Sequence, residues 1–194
     1  MGKPFLIGDS HARGMAETMI DGSYELRGWH VLGIGGSTAH NLVNDASETA
    51  AGRTAIDLLD KTTEQKDIYM MFGDVDCANH LLSEDMVEAT MARYKDFCET
   101  LRRRHDVSSV HMCHVYPRTS AFYMHGRDSK QIMETIGLWN SRLLSPVDTH
   151  GPLLGPDGFL LPSFAHNNGD SGERHLSKIG SDAVWEILIA HHNR

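Results

Sequence analysis

The sequence predicts an α/β protein: a three-layer α/β/α sandwich built on a mostly parallel sheet of about five strands. Three observations predict it. Short apolar runs, beginning with Phe5-Leu6-Ile7, alternate along the chain with stretches of helical spacing. The clearest run, Ile68-Tyr69-Met70-Met71-Phe72, is continuous rather than alternating, as expected of a strand covered on both faces. Strands alternating with helices are joined by right-handed crossovers, which makes neighbouring strands parallel. At 194 residues, with no internal repeat, low-complexity segment or linker, the chain suits one domain over 1–194.

Taken in order, the first strand ends at Gly8-Asp9-Ser10 and a helix is expected over 11–20. Asp21-Gly22-Ser23 is a turn, and 24–32 reads as one second strand with imperfect alternation. The glycine-rich loop Gly33-Ile34-Gly35-Gly36-Ser37-Thr38 opens a helix with Leu42, Val43, Ala46, Ala50, Ile56 and Leu59 inward, interrupted near Gly52. A buried strand over 67–72 stops at Gly73. Ser83, followed by Glu84 and Asp85, is a good N-cap for a helix to about Arg104. Its stripe is Val87, Met91, Tyr94, Cys98 and Leu101. The fourth strand covers 107–116 and ends at Pro117; Asp128 or Ser129 caps a helix with Ile132, Ile136, Trp139 and Leu143 inward. Residues 147–172 form a connection long enough to suggest function or mobility. A last helix runs from Ser177 to about His191, with Ile179, Ala183, Ile187 and Leu188 inward.

The formal net charge of −8 argues against nucleic acid or an anionic membrane as partner, since either needs a basic face. The one basic run, Arg102-Arg103-Arg104-His105, falls at a helix C-terminus, where cations complement the helix dipole. No stretch approaches the roughly 20 apolar residues of a membrane span. No signal-peptide layout is present, so a cytoplasmic or already processed chain is expected. Three cysteines at no framework spacing fit reduced thiols. No metal or cofactor is expected. Cys77-x-x-His80 is half a zinc site, and strand alternation separates His111 and Cys113 from His114. The Gly33-to-Gly36 stretch lacks both common nucleotide-binding fingerprints.

In a parallel sheet the C-terminal ends of the strands share one rim, where open α/β sheets bind ligands. That rim collects Ser10, the Gly35-Gly36 loop, the loop after Gly73 and the loop after Tyr116, and the stretch before the last helix is expected to reach it too. Strand-Gly-Asp-Ser-helix has two readings: an N-cap, or a serine presented for nucleophilic attack. A serine hydrolase needs a nucleophile, a base and oxyanion donors. Ser10, His175 and the N–H groups of Ser10 and Gly36 can supply them.

Four stretches, in order, resemble the GDSL/SGNH hydrolase family: Gly8-Asp9-Ser10, Ile34-Gly35-Gly36-Ser37-Thr38, Gly73-Asp74-Val75-Asp76, and His175-Leu176 with Gly180 following. The resemblance spans residues 8 to 180 and implies a flavodoxin-like SGNH fold, with Ser10 as nucleophile, His175 as base and Gly36 as an oxyanion donor. It departs in two places. The family's third-block asparagine, an oxyanion donor, falls on Val75, which cannot donate; Asn79 in the same loop can substitute, or is only a turn residue. The acid three residues before the histidine falls on Gly172; Asp170 is the preferred replacement, with Glu173 or a bare Ser–His dyad as alternatives.

The expected activity is hydrolysis of short-chain carboxylic esters, by family analogy carbohydrate O-acetyl esters, through an acyl-enzyme on Ser10. The expected partner is a small-molecule or carbohydrate ester. Transfer of the acyl group to a sugar hydroxyl, and a glycan-binding module without turnover, are the alternatives. A flavodoxin-like nucleotide-binding protein rests on the fold pattern alone.

Overall fold

The computed structural model describes residues 2–15, 22–166 and 175–194. Its main sheet has five strands in the order β2-β3-β1-β4-β5. These are β1 (Lys3–Gly8), β2 (Gly22–Leu26), β3 (Trp29–Gly33), β4 (Lys66–Met71) and β5 (Val107–Met112). β1 lies parallel to β3 and to β4, and β4 parallel to β5. Only the edge strand β2 is antiparallel. Every residue of β4 is buried, as its continuous apolar run requires.

The expected second strand is two. Arg27 and Gly28 both take left-handed backbone angles (φ 52° and 80°), so the chain reverses in a tight hairpin and β2 folds back on β3. A two-residue turn with both central φ values positive matches the twist of its strands. Glycine at the second position signals it, but arginine at the first does not.

Helices cover both faces. On one lie α2 (Ala51–Asp60), α3 (Glu84–Arg102) and α4 (Ser129–Arg142), closing a core around Phe5, Ile7, Ile68 and Met70. On the other lie α1 (Ser10–Arg13) and α5 (Lys178–His192), where Val184, Trp185 and Leu188 meet Leu6, Val31 and Tyr69. The remaining strands, β6 (Tyr123–Met124) and β7 (Arg127–Asp128), form a small ribbon before α4.

The α3 stripe is buried as read, and the Ser83 side chain accepts from the Met86 N–H. Asp128, not Ser129, is the α4 cap, in a reciprocal capping box with Gln131. Four further expectations fail. The helix expected over 11–20 stops at Arg13, and the strand expected over 107–116 stops at Met112. The helix after the glycine loop begins only at Ala51, because Ala50 is left-handed (φ 42°) and breaks it from a short 3-10 turn at Ala39–Asn41. Val43 is consequently exposed, and so is Ile179 in the first turn of α5. The basic run is structural: Arg102 donates to the Val110 carbonyl, Arg103 pairs with Glu99, and Arg104 with Asp60 and Asp106. Among the described residues no helix is long and apolar enough to cross a membrane.

Candidate functional site

β1 carries the chain to the rim and stops at Gly8. The cap of the following helix is Asp9, whose Oδ1 accepts from the His11 N–H at 2.9 Å. This divides the two readings of Gly-Asp-Ser between two residues. Asp9 caps, and Ser10 is left as the first helical residue, 5% exposed, with no hydrogen-bond partner for its Oγ among the described residues.

The glycine loop passes beside it. The Ile34 N–H donates to the Gly8 carbonyl, and the Ser37 hydroxyl closes the turn on the Ile34 carbonyl at 2.7 Å. Gly36 stands exposed at the tip. The far side of the loop is held by Asp76, whose two carboxylate oxygens accept from the Ala39 N–H (2.8 Å) and the His40 N–H (3.2 Å). Burial pushes the Asp76 carboxyl up to about 6, against the pull of those N–H groups. Its role is therefore to brace the loop bearing Gly36.

Gly73, which turns the chain out of β4, has φ 115°, and a Cβ there would come within 2.5 Å of the Trp139 ring. Only glycine fits. Val75 is buried. Asn79 sits in the π-helical turn Asp76–His80, half-buried, and its Oδ1 has no partner among the described residues.

His175 arrives from the other end of the chain. A bridge between Ala165 and Leu176 anchors it, and its carbonyl accepts from the His166 N–H at 2.9 Å. Its ring lies 5.6 Å from the ring of His11, the residue next to Ser10. The two termini therefore meet on one rim. The Ser10 Oγ does not hydrogen-bond to His175 in this arrangement. Asp170 and Glu173, the acids considered for His175, lie outside the described residues.

Sequence reasoning missed a buried charge cluster at this point. His11 Nδ1 lies 3.3 Å from both Asp9 Oδ1 and Asp74 Oδ2. Asp74 in turn pairs with Arg118, which is 1% exposed and covers the Phe122 ring. Two carboxylates converge on one ring nitrogen, and this fixes the orientation of the His11 ring. Tyr116 packs edge-on against that ring, its hydroxyl directed at the Met71 sulfur and its phenol held neutral by burial. Nothing local marks Asp74 or Arg118, since they meet only when the loops after β4 and β5 fold together.

This topology has known counterparts. One solved structure, assigned to the G-D-S-L family of lipolytic proteins from Desulfitobacterium hafniense, superimposes with a TM-score of 0.61 at 16% identity, covering 95% of this chain and 96% of its own. An acetylxylan esterase from Geobacillus stearothermophilus, in a catalytic-mutant form, gives 0.57 at 11% identity, with 97% and 93% covered. The fold is that of the SGNH hydrolases. The C-terminal domain of Drosophila Oskar also shares it, with a TM-score of 0.64 at 15% identity, covering 97% of this chain and 87% of that one. No protein-family model matches this sequence, and no curated protein does. Proteins with such different names share this SGNH fold, so the fold alone does not choose an activity.

Proposed function

We propose that the protein is a serine esterase acting on short-chain carboxylic esters, with carbohydrate O-acetyl esters as the substrate class. The observation that carries this reading is the convergence at the rim: Ser10, relieved of capping by Asp9, beside a ring that packs on His175. In the proposed reaction the imidazole of His175 takes the Ser10 proton as Oγ attacks the ester carbonyl. The oxyanion is met by the N–H groups of Ser10 and Gly36, with the Asn79 side chain in place of the donor missing at Val75. The alcohol leaves with the proton from His175, and water then releases the acid. Asp170 is the proposed acid partner of His175. The loss of one oxyanion donor typically costs about 10²–10³ in rate.

Ser10→Ala tests the reading. It should reduce p-nitrophenyl acetate turnover to background and abolish fluorophosphonate labelling, with an unchanged circular dichroism spectrum. Undiminished turnover in that variant removes the serine mechanism. A second reading, a glycan-binding module without turnover, is favoured by Val75, which occupies the third donor's position with an apolar group. Hydrolysis that depends on Ser10 dismisses it.

A further inference from the structure

The buried charges beside Ser10 have no part in the reaction proposed above. They come from three strand ends: Asp9 and His11 after β1, Asp74 after β4, and Arg118 in the loop after β5. None of the four is more than 4% exposed. Taking two carboxylates and a guanidinium out of water costs free energy, and well-packed apolar residues of similar volume would join the same loops at least as stably. Apolar contacts, however, are non-directional. Contacts between ionised groups and polar atoms set both a distance and a direction, so they can hold one ring at one angle.

The ring so held is His11. Its Nδ1 stands 3.3 Å from Asp9 Oδ1 and 3.3 Å from Asp74 Oδ2. Each carboxylate is itself tied down. Asp9 Oδ1 also accepts from the His11 N–H at 2.9 Å, which closes the clamp on the backbone that bears the ring. Asp74 pairs with Arg118, whose guanidinium lies over the Phe122 ring. Tyr116 closes edge-on, with ring centroids 5.0 Å apart. The void between Asp9, His11, Asp74 and Tyr116 is about 10 Å³, room for no more than one water, so the ring has little space to turn.

The same ring meets His175. The two centroids are 5.6 Å apart at a tilt of 40°, and both rings line one crevice with Tyr116 and Ser181. The bridge at Leu176 holds the backbone beside His175 but not its side chain, which turns about two further bonds. A general base must come within hydrogen-bond reach of the proton it takes, so the angle of that imidazole matters.

We propose that His11 is a positioning residue, the wall against which the imidazole of His175 is set, and that Asp74 and Arg118 act through it by holding the wall still. The consequence for turnover rests on the esterase reading; the seating of one ring by the other does not.

Two readouts test it: kcat and KM for p-nitrophenyl acetate, and the His175 ring signals in nuclear magnetic resonance spectra of histidine-labelled protein. His11→Asn keeps a side-chain nitrogen near the Nδ1 position, facing both carboxylates, and removes the ring that faces His175. It should lower kcat about tenfold or more and leave KM within about twofold. A residue that only braced the carboxylates would tolerate this change, so an unaltered kcat overturns the proposal. Arg118→Lys keeps the charge opposite Asp74 and loses the planar fork, and it decides the matter where His11→Asn does not fold. It should lower kcat by about threefold or more at unchanged KM and shift the His175 signals; wild-type behaviour in both overturns the proposal. If wild-type protein shows no turnover that depends on Ser10, the esterase reading fails by itself and the spectra decide the seating. Asp74→Asn, whose side chain meets His11 and Arg118, should then displace the His175 signals. Signals unmoved in both Asp74→Asn and Arg118→Lys overturn it.

Discussion

The two ends of β4 treat buried polar groups in opposite ways. At its start, Lys66 is 0% exposed, and its ammonium donates to the Thr62 carbonyl (2.9 Å), the Glu64 carbonyl (3.0 Å) and Asp106 Oδ2 (2.7 Å). Three donors meet three acceptors, which is all a lysine can offer. Arg104 and Lys66 together hold the Asp106 carboxyl well below the usual carboxylate range. At the other end, the rim buries Ser10 Oγ, Asp9 Oδ2, Thr38 Oγ1 and Asn79 Oδ1 with no hydrogen-bond partner among the described residues. Each such orphan costs about 1–3 kcal/mol. One end is finished as structure. The other is left open to a ligand, where departures from polar satisfaction are expected.

The largest test of this contrast is Asp106→Ala. It should lower stability by about 3 kcal/mol in urea unfolding, the low end for a broken buried ion pair, because two carbonyls still hold Lys66. Since folding depresses the Asp106 pKa, its contribution is present above the unfolded value of 3.8 and is lost as pH falls. Asp76→Asn should cost less, about 1–2 kcal/mol near pH 4, through a weakened brace on the Gly36 loop. Here the sign with pH reverses. The folded carboxyl titrates at about 6 against 3.8 unfolded, so the wild type loses stability as pH rises through that window. The deficit of the variant should therefore shrink between pH 4 and pH 7 in thermal melts. The smallest effect is Thr38→Val, which removes an orphaned hydroxyl and should raise stability by about 1 kcal/mol, or about 2–4 °C in Tm. A loss there as large as that of Asp106→Ala would erase the distinction between the two ends.

What could be read from the chain beforehand was what neighbours in sequence decide. The β4 run, the Ser83 and Asp128 caps and the α3 and α4 stripes are local patterns, and each lies where its pattern puts it. Two of the misreadings are backbone reversals at residues that give no warning, Arg27 and Ala50. Ser10, Gly36 and His175 could be named because a serine at a strand end, a glycine loop and a histidine before a helix each have a local form. The brace from Asp76 to Ala39 and His40, and the union of Asp74 with Arg118, join segments about 40 residues apart. Their meaning depends on which loops the sheet order makes adjacent. Asp74 stood between two motif positions and looked incidental until its partner arrived.

The bridge between Ala165 and Leu176 has a consequence for how such a protein could diversify. It joins the two ends of the intervening segment, and the His166 N–H donates to the His175 carbonyl beside it, so the backbone at His175 is held from the Ala165 side. Lengthening that segment would cost only about 0.6 kcal/mol per doubling in closure entropy. On the esterase reading proposed above, an acid partner within that segment would be an interchangeable part and the histidine a fixture.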